Sequence, residues 1–300
     1  MASFALKMTR KLISKQVKKG QIGGAAVDYA AEREKQASNQ SLPNAKGVSF
    51  RAEMLNGVPV EFSVPAVCSA KAQIFYIHGG GYCYGTAETS RGVASALAKL
   101  TGLQVCSITY RLAPENRYPA AVDDCFAVYQ ALLERFADTP VLLVGESGGG
   151  TFCLTTALRA KAQGLRMPGC LCLFSPCTDL SREYPSAEKY WQEDCIVPDA
   201  NIHASLRQVY LPEGCRADVP DVSPLLGDYT GFPPMFIQAD SHEVLLDDAL
   251  ALTEKARIAG VEVTQQLLDG TFHAFNTFGT ALPESKKLLE DAAAFLLRNC

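Results

Sequence analysis

The chain has 300 residues, of which 48% are hydrophobic and 20% are charged, so it can form one large domain or two small ones. Its formal net charge of −4 gives no general attraction to nucleic acids or anionic membranes. The sequence has no apolar run of about 18 residues, so it predicts no bilayer-spanning segment. These properties exclude membrane-spanning proteins, histone-like proteins and coiled coils.

The first 36 residues have the periodicity of a helix. Phe4, Met8 and Leu12 recur at every fourth position, with Ile13 and Val17 close to the same stripe. Six basic residues and no acidic residue precede Asp28. One interpretation is a helix that binds a membrane surface or directs the chain to an organelle. The favoured interpretation is a helix that lays this apolar stripe on the rest of the protein.

The basic residues interrupt the unbroken apolar stretch that a secretory signal needs, so no export signal is predicted. The eleven cysteines are odd in number, and several lie inside apolar runs, among them Cys106, Cys170 and Cys172. Free cysteine is among the most buried residue types. The sequence therefore predicts free thiols and a reducing cytoplasm.

From about residue 48, short apolar runs alternate with helical segments. Asn56-Gly57 between the first two runs suits a two-residue turn and predicts a hairpin. The later runs are continuously apolar, which is typical of buried parallel strands joined by crossover helices. The predicted strands of this α/β fold are 48–55, 58–64, 73–79, 103–110, 141–147, 169–175, 235–240 and 261–268. The predicted helices lie near 90–100, 118–136, 148–163, 245–258 and 284–298.

About sixty residues between the sixth and seventh runs contain no predicted strand. A structureless loop of this length is uncommon in a compact domain. The sequence therefore predicts an inserted helical lid near 180–220, which contains Trp191.

The segment VLLVGESGGG at 141–150 is the strongest local signal for chemistry. An apolar strand leads into Gly145-Glu146-Ser147-Gly148-Gly149, and a helical segment follows. In a G-x-S-x-G turn, side chains at the two glycine positions would collide with neighbouring backbone, and the serine is held at the start of the helix. The helix dipole there favours developing negative charge. Ser147 is therefore the candidate nucleophile.

A second glycine-rich turn, IFYIHGGGYCYG at 74–85, also follows an apolar strand. Consecutive glycines leave backbone N–H groups unshielded, as an oxyanion hole requires. A flexible turn and a phosphate loop are the alternatives. A phosphate loop would have Lys-Ser/Thr after the glycines, whereas Tyr82-Cys83-Tyr84 stands here.

A serine nucleophile needs a base, and the chain has four histidines. His78 belongs to the glycine turn and is expected to brace it, while His203 in the predicted lid is expected to be a surface side chain. In folds that present a serine on such a turn, the chain order is serine, acid, histidine. That order selects His273, directly after the last strand, and leaves His242 as a bystander.

The acid is expected in the loop after the seventh strand. Its carboxylates are Asp240, Glu243, Asp247 and Asp248. Asp247 and Asp248 begin the next helix, where carboxylates ordinarily serve the helix dipole, and Asp240 could be a turn residue. The residues alone leave the choice open.

With these features in place, the sequence resembles the hormone-sensitive-lipase-like branch of the α/β-hydrolases, the bacterial carboxylesterase type, over residues about 70–300. The matching motifs are HGGGYCYG at 78–85, YRLAPENRYPAAVDD at 110–124, GESGGG at 145–150, SPCTDLS at 175–181, SPLLGD at 223–228, QADSHEVLLDD at 238–248 and GTFHAF at 270–275. The resemblance implies Ser147 as nucleophile and His273 as base. It also implies that the N–H groups of Gly80, Gly81 and Gly148 form the oxyanion hole.

Members commonly carry the acid in an Asp-x-Leu-x-Asp pattern. Residues 243–247 fit this pattern with glutamate in the first place, so the resemblance favours Glu243 over Asp240. Glu146 is a second departure, because members usually have Asp or Thr beside the serine. For the acid itself, Glu243 or Asp240 could hold the far nitrogen of the imidazole.

The resemblance also implies an eight-stranded, mostly parallel sheet flanked by helices, with a helical cap. The cap would comprise helices in residues 1–45 and the insertion at about 180–220, and the catalytic domain would span 46–300. Members act on small short-chain acyl esters without a metal or other cofactor. They often form homodimers through the last strand, here 261–268.

Two alternatives stay open at this level. An N-acyl amidase or deacetylase could use the same three residues, and a non-catalytic small-molecule receptor could use the same scaffold. The presence of both Ser147 and His273 favours an enzyme. A metal site at Cys170 and Cys172 is disfavoured, because neither a Cys-x-x-Cys pair nor a histidine accompanies them.

Overall fold

A β-hairpin begins the sheet, as the sequence predicts. Strands β1 (Val48–Leu55) and β2 (Val58–Pro65) pair antiparallel along their whole length. The two turn residues have positive φ, 46° at Asn56 and 79° at Gly57, as a type I′ turn requires. The structure is a computed structural model that describes residues 3–16, 27–38, 43–197 and 199–300.

Eight strands form one sheet in the order β1-β2-β4-β3-β5-β6-β7-β8. The six later strands are β3 (Ser69–Ile77), β4 (Leu103–Ile108), β5 (Val141–Glu146), β6 (Leu171–Phe174), β7 (Met235–Asp240) and β8 (Val263–Leu268). β2 pairs antiparallel with β4, and every neighbouring pair from β4 to β8 is parallel. The predicted α/β-hydrolase architecture is confirmed. β8 lies at one edge of the sheet, and among the described strands it pairs with β7 alone.

The described residues form nine helices. They are α1 (Phe4–Gln16), α2 (Tyr29–Ser38), α3 (Arg91–Thr101), α4 (Ala120–Arg135), α5 (Gly148–Ala162), α6 (Pro185–Tyr190), α7 (Ile202–Tyr210), α8 (Leu246–Ile258) and α9 (Pro283–Arg298). Of these, α3 to α8 connect the parallel strands. Two 3₁₀ turns cover Pro224–Leu226 and Phe275–Phe278.

Strands β5, β6 and β7 are buried on both faces, which explains their largely apolar sequences. Along β5, Val141 and Leu143 pack in one hydrophobic cluster, whereas Leu142 and Val144 pack in the other. Successive side chains of a strand point to opposite faces, so a strand covered on both sides needs no polar alternation.

The insertion between β6 and β7 carries α6 and α7, and its described residues contain no strand. Trp191 is half-buried against the larger core cluster, and Leu206 of α7 is buried within it. α7 reaches the glycine turn, because a Cβ at Gly81 would lie 3.2 Å from Leu206 Cδ2. The insertion therefore lies beside the region that the sequence singles out for catalysis.

Helix α1 packs on the protein as expected, but most of the predicted stripe does not make the contact. Val17, which the prediction placed close to that stripe, lies outside the described residues. Phe4, Met8 and Leu12, the stripe expected to face the protein, are 79%, 43% and 56% exposed. The contact with the core comes instead from Leu6, which is fully buried, and from Ile13. No helix among the described residues is long and apolar enough to cross a bilayer.

Candidate active site

Ser147 occupies the turn between β5 and α5 with φ 52° and ψ −123°, a strained backbone for a residue with a side chain. A Cβ at Gly145 would lie 2.7 Å from the carbonyl oxygen of Gly149. One at Gly149 would overlap the carbonyl oxygen of Ile77. The predicted need for glycine at both positions is confirmed, because side chains there would collide with backbone.

His273 lies in the loop after β8, with Nε2 2.9 Å from the Oγ of Ser147, although 126 positions separate the two. The imidazole is almost fully buried. Asp240, at the end of β7, holds this loop, because the backbone N–H and hydroxyl of Thr271 donate to Asp240 Oδ2 at 2.8 and 2.6 Å.

Glu243 is fully buried in the loop between β7 and α8. Its Oε2 lies 3.6 Å from His273 Nδ1, an ion-pair separation longer than a hydrogen bond. The hydroxyl of Ser175 donates to the same oxygen at 2.7 Å. Glu243 therefore faces the imidazole nitrogen that does not contact Ser147.

The other three carboxylates left open by the sequence are engaged elsewhere. Asp240 accepts hydrogen bonds from the loop that carries His273 and from its own turn. Asp247 accepts from a backbone N–H at the start of α6, and Asp248 accepts from backbone N–H groups after β6. Of the four, Glu243 is the carboxylate that faces the imidazole.

Three buried carboxylates influence His273: Glu243, Asp194 and Glu146. Burial disfavours the charged imidazolium, but the three acidic groups outweigh it and raise the pKa of His273 above its ordinary value. Burial also raises the pKa of each of the three carboxyl groups. The site is therefore built to favour a proton on the imidazole.

Asp194 belongs to the insertion between β6 and β7, and its buried carboxylate joins two segments. Oδ1 accepts from the N–H groups of Ile196 and Val197, each at 2.9 Å. Oδ2 accepts from the N–H of Val244 at 3.2 Å. Because Val244 follows Glu243, Asp194 attaches the insertion to the loop that carries Glu243.

The glycine turn ends β3 beside Ser147. Gly80 and Gly81 have φ values of 103° and 57°, in the region that favours glycine. The described residues supply no acceptor for the backbone N–H groups of Gly80, Gly81 or Gly148. These donors are free to bind an oxygen atom of a ligand.

Glu146 fastens the glycine turn to the Ser147 turn. Its Oε1 accepts from the N–H of Gly79 at 2.8 Å, and Oε2 accepts from the hydroxyl of Tyr76.

His78 stacks on Tyr110 with ring centroids 4.3 Å apart, and its Nδ1 lies 2.8 Å from the carbonyl oxygen of Gly79. Burial lowers the pKa of His78 to about 4, so this ring is neutral. The structure is consistent with the bracing expected of His78.

The expectation for His203 is wrong, because its side chain is fully buried rather than on the surface. Nε2 lies 2.8 Å from Asp248 Oδ2, and Nδ1 lies 3.3 Å from Glu183 Oε2. Burial disfavours the charged ring, yet these two carboxylates raise the pKa of His203 to about 10. His203 thus ties α7 to α8 through an ion pair. His242 lies outside the site, as predicted, with a side chain 42% exposed.

One group among the described residues has the geometry to hold a metal ion: Cys177, His203 and Asp248, whose ligand atoms lie within 4.8 Å of one another. His203 is already bonded to Asp248, and burial raises the pKa of Cys177 well above its ordinary value. Metal ligation needs a thiolate and a neutral imidazole. The group is therefore an ion pair beside an inert thiol. Cys170 and Cys172 are fully buried in the core, as predicted.

Sequence reasoning missed two residues that surround the three candidate catalytic groups, Ser175 and Asp194. Ser175 lies in one of the recognised motifs, SPCTDLS, which is the signal that could have found it. Asp194 lies 50 positions before the backbone N–H that it binds, and no local pattern marks it.

The chain is similar to several known proteins. A family model described as alpha/beta hydrolase fold matches residues 74–277. An esterase of Acinetobacter venetianus is 37% identical over 255 residues, covering 85% of this chain and 84% of the relative. An acetyl-hydrolase of Streptomyces hygroscopicus is 35% identical over 224 residues, covering 74% of each chain. The crystal structure of a hormone-sensitive lipase from a metagenome library superposes with a TM-score of 0.89 at 30% identity, covering 98% of both chains.

The fold, the serine turn and these similarities define a class. The chain belongs to the α/β-hydrolase family, in the hormone-sensitive-lipase-like branch of its carboxylesterases.

Proposed function

We propose that this carboxylesterase works through an acyl-enzyme on Ser147, with His273 as general base and Glu243 as the acid that stabilises the imidazolium. The observation that carries the proposal is the 2.9 Å separation between His273 Nε2 and the oxygen of the strained Ser147. This distance lies within the reach of proton transfer.

In the first half of the reaction, the Oγ of Ser147 attacks the ester carbonyl carbon while Nε2 of His273 accepts the hydroxyl proton. The carbonyl oxygen becomes an oxyanion, and the N–H groups of Gly80, Gly81 and Gly148 donate hydrogen bonds to it. Loss of one such donor typically costs about 10²–10³ in rate.

The tetrahedral intermediate then collapses. The bond to the alkoxy oxygen breaks, and His273 returns the proton to it, so that an alcohol leaves and the acyl group remains on Ser147. In the second half, His273 deprotonates a water molecule that attacks the acyl carbon. Collapse releases the carboxylic acid and restores the Ser147 hydroxyl. The sequence of steps needs no metal or organic cofactor.

Glu243 would act on the imidazolium of His273 through the carboxylate oxygen that lies 3.6 Å from Nδ1. Catalytic contacts of this kind commonly shorten when substrate binds. The hydrogen bond from Ser175 keeps that oxygen on the imidazole side.

We infer short-chain acyl esters of small alcohols as substrates. The similarity to an acetyl-hydrolase over 74% of the chain supports a small acyl group. The insertion supports it too, because Leu206 of α7 approaches Gly81 and limits the space beside the proposed oxyanion donors. In this proposal, α1, α2 and the insertion at about 180–220 form the cap over the catalytic domain.

Two further proposals concern the setting of the enzyme. All eleven cysteines are free and eight are buried, which fits a reducing compartment such as the cytoplasm. The unpaired edge of β8 supports a homodimer formed through residues 261–268, since an exposed strand edge is a template for pairing.

Initial rates on p-nitrophenyl acetate, butyrate, octanoate and palmitate test the proposal. We expect the shortest esters to react fastest. Ser147→Ala and His273→Ala should abolish turnover, and Glu243→Gln should lower kcat by about 10²–10⁴.

The matched control is Asp240→Asn, which removes a carboxylate of the same loop that faces Thr271 rather than the imidazole. It should lower thermal stability more than Glu243→Gln and kcat less. Ester turnover that persists in a folded Ser147→Ala variant would refute the mechanism. Turnover of p-nitroacetanilide at rates matching those of the esters would favour an amidase.

A further inference from the structure

Helix α1 has two apolar faces, and within residues 3–16, 27–38, 43–197 and 199–300 nothing covers the larger one. Leu6 is fully buried and Ile13 packs on the same core cluster. On the other side, Phe4, Met8 and Leu12 are 79%, 43% and 56% exposed. They stand at every fourth position and therefore form one continuous stripe along the helix.

Lysines accompany the stripe at a constant offset. Lys7, Lys11 and Lys15 each follow an exposed apolar residue by three positions, which on an α-helix places them about 60° from it. All three lysines are exposed, and α1 contains no acidic residue. No carboxylate among the described residues forms an ion pair with any of them. The stripe and the lysines together form one cationic, apolar surface.

Such a surface matches an anionic lipid bilayer. The apolar side chains can enter the boundary between headgroups and acyl chains, while the lysine stems lie along it and the ammonium groups reach the phosphates. Each lysine near an anionic membrane surface strengthens binding about fivefold. The net charge of −4 does not oppose this at close range, because salt screens charges beyond about 10 Å.

We propose that the exposed face of α1, formed by Phe4, Lys7, Met8, Lys11, Leu12 and Lys15, docks this protein on the surface of an anionic lipid bilayer without crossing it. Docking of α1 would hold the whole protein at the bilayer, because the helix is attached to the rest of the fold. Leu6 packs in the core, the N–H of Ser3 donates to Glu284 Oε1 at 2.7 Å, and Arg10 donates to the carbonyl oxygen of Glu193 at 3.3 Å.

The attachment points lie next to the candidate active site. Leu6 lines one surface pocket together with Thr271, two residues before His273, and Glu193 precedes Asp194. A docked α1 would therefore hold the loop that carries His273 close to the headgroups. Esters that partition into the bilayer surface would then be favoured substrates. This consequence rests on the proposed function, whereas the docking itself does not.

Co-sedimentation with vesicles of phosphatidylcholine alone, or of phosphatidylcholine mixed with phosphatidylglycerol, tests the docking. We expect the full chain to bind the mixed vesicles at least about tenfold more tightly and to lose this preference at high salt. Two triple variants should each abolish it: Phe4→Ser with Met8→Ser and Leu12→Ser, and Lys7→Glu with Lys11→Glu and Lys15→Glu.

The matched control replaces three exposed apolar side chains on other parts of the surface, Met54→Ser, Val67→Ser and Ile258→Ser. It should bind the mixed vesicles like the parent. Thermal unfolding of every variant separates lost binding from lost folding, and neither measurement depends on ester turnover.

The proposal is overturned if the parent chain ignores the anionic vesicles, or if both α1 variants bind as well as the control. It is also overturned if sedimentation velocity shows a dimer that the apolar α1 variant alone dissociates, because the stripe then serves a second copy of the chain.

Discussion

The hydroxyl of Ser175 lies 2.7 Å from the Oε2 of Glu243 and donates a hydrogen bond to it. The same hydroxyl oxygen accepts a hydrogen bond from the backbone N–H of Ala274 at 3.2 Å. Ser175 is fully buried at the end of β6 with φ 45°, a conformation that few side chains adopt. Ser175, with its strained backbone, thus links the loop that carries Glu243 to the residue that follows His273.

Ser175→Ala tests this link. Hydrogen bonds to charged groups contribute about 1.5–3 kcal/mol, so kcat on p-nitrophenyl acetate should fall about 10- to 100-fold with KM nearly unchanged. The control is Ser223→Ala, which removes an equally buried hydroxyl bonded to Ala217. The control should lose stability without a comparable loss of kcat. Equal losses of kcat in the two variants would show that Ser175 acts through stability alone.

The pH dependence of the wild-type enzyme follows from the raised pKa of His273. A general base must be neutral, so kcat/KM should fall as the pH drops through the pKa of His273. Because neighbouring carboxylates raise that pKa, the acid limb should lie above pH 6.5, the ordinary value for histidine. A pH–rate profile on p-nitrophenyl acetate measures it. A limb below pH 6 would contradict the effect of the carboxylates.

Asp194→Asn should move that limb to lower pH. The variant removes a buried negative charge that favours protonation of His273, and the amide cannot reproduce both sets of accepted hydrogen bonds. Asp199→Asn is the matched control, since Asp199 is a buried aspartate of the same insertion that accepts from Asn201 and Ser205. If the two variants have the same limb, Asp194 has no electrostatic role at the site.

His203→Gln should destabilise the fold. The variant breaks a buried ion pair with Asp248, a change that costs about 3–5 kcal/mol. The stabilisation by this ion pair depends on pH through the pKa of His203. The folded pKa of about 10 exceeds the ordinary 6.5, so this stabilisation is complete below pH 6.5 and is lost as the pH rises through about 10.

Urea unfolding at pH 7 and at pH 10 measures this effect. The stability difference between wild type and His203→Gln should be large at pH 7 and smaller at pH 10. A difference that does not change with pH would mean that His203 is uncharged in the folded protein.

The sequence was most informative where local geometry determines the structure. The turn at Ser147 requires glycine within two residues on either side, and the hairpin turn requires residues that accept positive φ, as Asn56 and Gly57 do. A short stretch of sequence is therefore enough to predict each turn. The contacts of Asp194 and Ser175 could not be predicted in this way. Their partners lie 50 and 68 positions away and are brought together by the sheet.

The two wrong expectations have the same physical origin. A helical period identifies apolar positions on α1 but does not say which of them meet the protein. Leu6, outside the predicted stripe, makes the contact together with Ile13, which the prediction placed close to the stripe. For His203, a polar side chain in an insertion suggested exposure. Asp248, 45 positions later, compensates the cost of burying its charge.

Gly149 lies so close to the carbonyl oxygen of Ile77 that no side chain fits between them. Because α5 begins against the end of β3, and Glu146 binds Gly79, the serine turn and the glycine turn form one mechanical unit. A displacement of either turn would carry the other with it. Sequence variation in α6, α7 and the segments around them can therefore reshape which molecules enter, while the spacing between Ser147 and the glycine N–H groups stays fixed.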